Sequence, residues 1–149
     1  MDTSDARAVS LALDRFCGQV PQYYIDALRK AMSRLSFHGQ RVLEIGGSSL
    51  PRELVLDTLG AAQWVCVDIL NHASGSYQRS AQAAHYKAIG VDPLHEGTRI
   101  PERPYVIYDG SAADIPAAFN AKFDIVFSIN SFEHIVPLEE VLDRTYKAL

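Results

Sequence analysis

No apolar run in this chain approaches the roughly 20 residues a bilayer-spanning helix requires, so no membrane segment is expected. Cysteine is scarce. Cys17 and Cys66 stand far apart, which excludes a disulfide framework and any thiol-based metal spacing, and Cys66 reads as a small buried hydrophobe in an apolar run. Positive charge is not in excess: 14 Lys and Arg against 18 Asp and Glu give a formal charge of −4, which argues against electrostatically driven nucleic-acid binding. The opening residues, Met1-Asp2-Thr3-Ser4-Asp5, are acidic and unlike a secretion signal, so a reducing, cytoplasmic setting is expected. His38, His72, His85 and His95 show no metal-like spacing. Two phosphate-binding fingerprints are also missing. Neither G-x-G-x-x-G nor G-x-x-x-x-G-K-[ST] occurs, which weakens a dinucleotide or nucleoside-triphosphate reading.

What the sequence has is a core-forming composition, 48% apolar over 149 residues, enough for about one domain. Residues 1–39 read as an N-terminal helical cap. One helix runs from Ser4, a plausible N-cap, to about Cys17, with Val9, Leu13 and Phe16 at helical spacing; a second opens at Pro21 and carries Tyr24, Leu28, Met32 and Leu35 on one face. Tyr23 and Tyr24 are read as core packing, with a place over a ligand pocket as the alternative.

From residue 40 to 149 strands alternate with helices. The strands are Arg41–Ile45, Trp64–Ile69, Tyr105–Tyr108 and Phe123–Ile129; the helices are Leu50–Leu59, a short one across Ala112–Phe119, and one from about Pro137. The stretch 71–104 is polar and hard to read, with one helix candidate near Tyr77–Ala88. Such alternation implies an α/β fold with a Rossmann-like parallel sheet and helices on both faces, here of about four strands in the order 3-2-1-4. The ligand then belongs beyond the carboxyl ends of the strands, where Glu44 with the Gly46 loop, Asp68, Asp109 and Ser128 to Asn130 converge. Gly46-Gly47 permits a sharp turn and a close backbone approach, although an ordinary strand-to-helix turn uses the same residues. Asp68 can accept hydrogen bonds from both hydroxyls of a ribose, or simply cap a turn. S-adenosylmethionine carries no phosphate, so it requires that acceptor and that close approach without an anion cradle.

Four stretches, Val42-Leu43-Glu44-Ile45-Gly46, Val67-Asp68-Ile69, Asp109 through Asp114-Ile115-Pro116, and Phe123-Asp124-Ile125-Val126-Phe127-Ser128 running to Phe132-Glu133-His134-Ile135, follow one another in order. In them the chain resembles the class I S-adenosylmethionine-dependent methyltransferases of the small-molecule type, over residues 41–149. The resemblance implies that Glu44, Gly46 and Gly47, with Ser48 in the same loop, line the methionine end of the cofactor. It implies that Asp68 holds the ribose and Ile69 packs on adenine. Ser111 stands where the family carries an acid, so Asp109 takes that role, with Ala112 supplying backbone groups. Ser128 and Asn130 face the methyl donor, and Glu133-His134 match the family's Glu-His pair, His134 being a general base or a packed structural residue. The acceptor is expected to be a small molecule. The family's sheet continues past the point matching Leu149, so the chain is expected to be the cofactor-binding half, completed by a further segment or a second chain. A non-catalytic methyltransferase-like interaction module is the alternative.

Overall fold

A computed structural model describes residues 3–47, 50–70, 90–129, 131 and 135–149. Its centre is a five-stranded, all-parallel sheet: β1 (Arg41–Ile45), β2 (Gln63–Asp68), β3 (Val91–Pro93), β4 (Tyr105–Asp109) and β5 (Ile125–Ser128), in the spatial order β3-β4-β2-β1-β5. This corrects the expected four strands and 3-2-1-4 order. The difference is β3, which pairs in parallel with the outer side of β4. It escapes a periodicity argument because it is three residues long and ends in Pro93. Proline is tolerated at such an edge, where one side of the strand needs no donor. The helix candidate near Tyr77–Ala88 lies outside the described residues.

Alternation along the strands sends side chains to two separate cores. Val42 and Trp64 face a layer made by α1 (Thr3–Leu13) and α2 (Gln22–Met32), where Leu13, Val20, Tyr24, Ile25, Leu28, Met32 and Phe37 are buried. Leu43, Ile45, Val65, Val67, Val106 and Tyr108 face the opposite layer, with Phe119, Phe123 and the inner side of α3 (Leu138–Ala148). Strands buried on both faces explain the nearly continuous apolar runs. The N-terminal helices share one apolar core with the sheet. The helix expected from Ser4 begins at Thr3, and the second ends at Met32, after which Phe37 returns to the core and stacks edgewise on Phe127, 5.5 Å between ring centres. Tyr24 is core, as read; Tyr23 is exposed.

Two helices differ from expectation. In place of an α-helix over Leu50–Leu59 there is a six-residue π-helical segment, Glu53–Thr58, closed by the Leu59 N–H donating to the Leu54 carbonyl at 2.9 Å. Its wider turn still places Leu54 and Val55 in the core. Around Pro116 the chain makes two 3-10 turns, Ala112–Asp114 and Ala117–Phe119, because Pro116 cannot supply the N–H a continuous helix needs. At the far end of α3, N–H groups of Ala121, Lys122 and Phe123 donate to the carbonyls of Lys147 and Ala148, so the last turn is satisfied where a helix normally leaves acceptors open.

β5 ends the sheet on one side. Arg41 N–H donates to Asp124 Oδ2 at 2.8 Å and the Asp124 N–H returns to the Arg41 carbonyl, which fixes the register of β5 on β1. The fold makes a simple mutational contrast. Leu28→Ala, at a fully buried position, should lower unfolding free energy by about 2–5 kcal/mol, whereas Tyr23→Ala on the same helix should cost under about 1 kcal/mol. Urea denaturation measures both; equal losses would contradict the assigned helix face.

Candidate functional site

The chain passes from β4 back across the sheet to β5, so the direction of strand addition reverses beside β1. In parallel sheets ligands gather at the carboxyl ends of the strands at such a point. Gly46 lies there. Its N–H donates to the Val67 carbonyl at 2.8 Å, and its φ of +72° is one that glycine adopts without penalty. A Cβ at Gly46 would also collide with the Ser131 side chain. Ser131 Oγ donates toward the Gly46 carbonyl (2.9 Å) and the Ile129 carbonyl (3.0 Å). Ser128 Oγ, at the end of β5, donates to the Ile45 carbonyl at 3.0 Å. Two serines therefore tie the ends of β1 and β5 together. Ser128 is expected from the sequence; Ser131 is not, since its only signal is a hydroxyl three residues past a strand end, which many surface serines share.

Beneath this turn lies Glu44, 1% exposed in the middle of the sheet. Its Oε2 accepts a hydrogen bond from Trp64 Nε1 at 2.7 Å, while Oε1 has no hydrogen-bond partner among the described residues. Gly47 closes over that oxygen so tightly that a Cβ there would overlap it. Cys66 is the register partner of Glu44 on β2, buried, with its thiol taking a hydrogen bond from the Gly47 N–H. Desolvation pushes the Glu44 carboxyl from an ordinary 4.5 up to about 8; the Asp68 charge adds to that rise and the Trp64 hydrogen bond opposes it. Burial likewise raises the Cys66 thiol, reinforced by Glu44 and Asp68, so it is neither ionised nor a ready nucleophile. Glu44 thus sits under the glycine loop and braces it.

Asp68 and Asp109 end β2 and β4 in register with each other. Asp109 Oδ1 accepts from the Leu70 N–H at 3.0 Å, and the Gly110 N–H donates to the Asp68 carbonyl at 2.9 Å, so the two strand ends are cross-tied. Ile69, between them in the chain, is 44% exposed, an apolar surface beside two carboxylates. Ser111 accepts from the Ala113 N–H through Oγ at 3.2 Å and caps the 3-10 turn, and Ala112 is buried in the second core. The structure brings Gly46, Gly47, Asp68, Ile69, Asp109 and Ser128 to one edge of the sheet; Ser48, Asn130 and His134 lie outside the described residues. Trp64 is not recognisable in the sequence as a site residue, because an aromatic in an apolar strand reads as core and nothing local reveals that its N–H meets a carboxyl on the next strand. Among the described residues, no group of three or more His, Cys, Asp or Glu side chains is placed to hold a metal, and no helix is long and apolar enough to cross a membrane.

No family model, curated protein or solved structure matches the chain.

The Glu44 arrangement has a pH signature. Between 4.5 and about 8 the folded protein keeps a proton that the unfolded chain releases, so stability falls as pH rises through that window, by an amount on the order of 5 kcal/mol if the whole shift is expressed. Glu44→Gln should flatten the pH dependence of the melting temperature. Trp64 is the single tryptophan, so its fluorescence should titrate near pH 8 in the wild type and stay level in the variant. Matching curves for the two proteins would refute the buried neutral carboxyl.

Proposed function

We propose that this chain is the cofactor-binding part of an S-adenosylmethionine-dependent methyltransferase acting on a small-molecule acceptor, built on a Rossmann-like sheet. The observation that carries the reading is the convergence at one edge of a positive-φ glycine turn after β1 with two aspartates, Asp68 and Asp109, in register at the ends of β2 and β4.

The residues fit a nucleoside cofactor without phosphates. Carboxylates at two neighbouring strand ends repel a pyrophosphate but suit ribose hydroxyls and a cationic sulfonium. The segment after the glycine turn is a six-residue π-helical turn, not an α-helix whose N-terminus could hold phosphate. Asp68 would accept the ribose hydroxyls, Ile69 would offer its exposed side chain to adenine, and the Gly46-Gly47 backbone would face the amino-acid end. Ser111 and Ala112 set the course of the loop beside the adenine. Glu44 acts from below, through the loop. Bound there, S-adenosylmethionine supplies an electrophilic methyl group. The chain's own contribution is orientation and exclusion of water, so no protein nucleophile is required. His134 is the residue we assign to proton removal from the acceptor. A cytoplasmic setting accompanies this reading, in keeping with two free thiols, Cys17 exposed and Cys66 buried. Neither nucleic acid nor a membrane is a partner in it.

One observation favours a second reading. Gly47 is buried against Glu44 and Gly46 is packed against Ser131, so the loop spends its glycines on contacts within the protein. A non-catalytic interaction module on a methyltransferase-like fold would retain such packing without a cofactor.

Calorimetric titration with S-adenosylhomocysteine separates the two. Micromolar binding is expected, weakened about 10- to 100-fold in Asp68→Ala by loss of hydrogen bonds to a charged acceptor. Absence of binding, or binding indifferent to Asp68→Ala, would turn the assignment toward the interaction module.

A further inference from the structure

Nine large apolar side chains are exposed among the described residues, and five of them, Val136, Leu138, Leu142, Tyr146 and Leu149, fall in the segment 136–149. Four of these recur on α3 and at its end with spacings of four, four and three, which places them in one stripe. Leu138 is 42% exposed, Leu142 47%, Tyr146 78% and Leu149 54%. The stripe adjoins the side of α3 that carries the buried Val141, Thr145 and Ala148. The apolar face of this helix is therefore wider than its own sheet covers, and the outer half of it is left in solvent. Contiguous apolar surface of this kind marks an interaction site more often than scattered exposed residues do.

The charges beside the stripe specify what covers it. Glu139, Asp143 and Lys147 recur every four residues along one flank, acidic near the start of the helix and basic near its end, with Glu139 and Glu140 in the first turn. Lys147 Nζ is held at 2.6 Å from Asp143 Oδ2, extended along that flank. The two ends of the flank are complementary when two such helices run antiparallel, while Asp143, near the axis, is offset by its own Lys147. Leu142 then meets its counterpart at the two-fold axis, Leu138 meets Tyr146 of the other copy, and Glu139 meets Lys147 in both directions. A membrane surface suits the flank poorly, since Glu139, Glu140 and Asp143 would face anionic headgroups. We propose that α3 is the contact of a symmetric homodimer, in which a second copy of this chain covers the Leu138–Leu142–Tyr146 stripe. An isologous contact of this kind closes on itself and leaves no apolar stripe open.

The test is sedimentation equilibrium of the full chain from low to high micromolar concentration. The wild type should approach twice the 16.5 kDa chain mass. Leu142→Glu should be monomeric, and Glu139→Lys or Lys147→Glu alone should weaken association about tenfold. The double reversal Glu139→Lys with Lys147→Glu should restore it. Leu142, Glu139 and Lys147 are exposed, so circular dichroism should show each variant folded. A monomeric wild type throughout, a dimer that survives Leu142→Glu, or single reversals that the double variant does not rescue would each overturn the proposal.

Discussion

A carboxyl group in the middle of a parallel sheet constrains everything around it. Glu44 cannot be solvated there, and an unpaired buried charge costs more than a small domain can absorb. Two neighbours and a shifted equilibrium limit that cost. Trp64 supplies one hydrogen bond from the adjacent strand, the backbone of Gly47 packs over the other oxygen, and desolvation holds the carboxyl in its neutral form. The identities at 47 and 64 follow from this requirement: no side chain fits at 47, and an N–H donor is needed at 64. The arrangement in turn holds the β1 turn at the point where the sheet changes direction.

From that fixed turn the rest of the edge is built by short ties between strand ends. Ser128 and Ser131 bind β5 to β1, and Asp109 and Gly110 bind β4 to the end of β2. The polar groups of the proposed pocket are therefore attached to the ends of paired strands. In the proposed reading, rigid strand ends of this kind serve to orient two reactants, which is the contribution asked of a methyl-transfer site. The helix expected over Leu50–Leu59 is replaced by a wide π-helical turn, which packs Leu54 and Val55 inward.

The sequence made the architecture largely legible where apolar runs were long. β1, β2 and β4 are legible because each is largely buried and bounded by glycine, proline or aspartate; β5, half-buried at the sheet edge, is legible from its apolar run after Asp124. β3 is not, since three residues with a terminal proline produce no period. The polar strand ends Asp68, Asp109 and Ser128 could be named because a charged or hydroxyl residue closing an apolar run is conspicuous. Glu44 was named too, but its partners were hidden: the Trp64 bond joins positions 20 apart whose proximity only the parallel register creates, and Ser131 becomes meaningful only once Gly46 is seen to need the space around it. The two 3-10 turns around Pro116 show the ordinary limit of periodicity, which cannot tell a short helix from a broken one.

The central claim is that the carboxyl edge formed by Gly46, Asp68, Ile69 and Asp109 receives a nucleoside cofactor. Amide chemical-shift mapping with S-adenosylhomocysteine addresses it residue by residue. The account predicts saturable shifts concentrated at Gly46, Gly47, Asp68, Ile69, Asp109 and Gly110, with the amides of α2 unmoved. Shifts absent from that edge at saturating ligand, or spread over α2 and α3 instead, would contradict it.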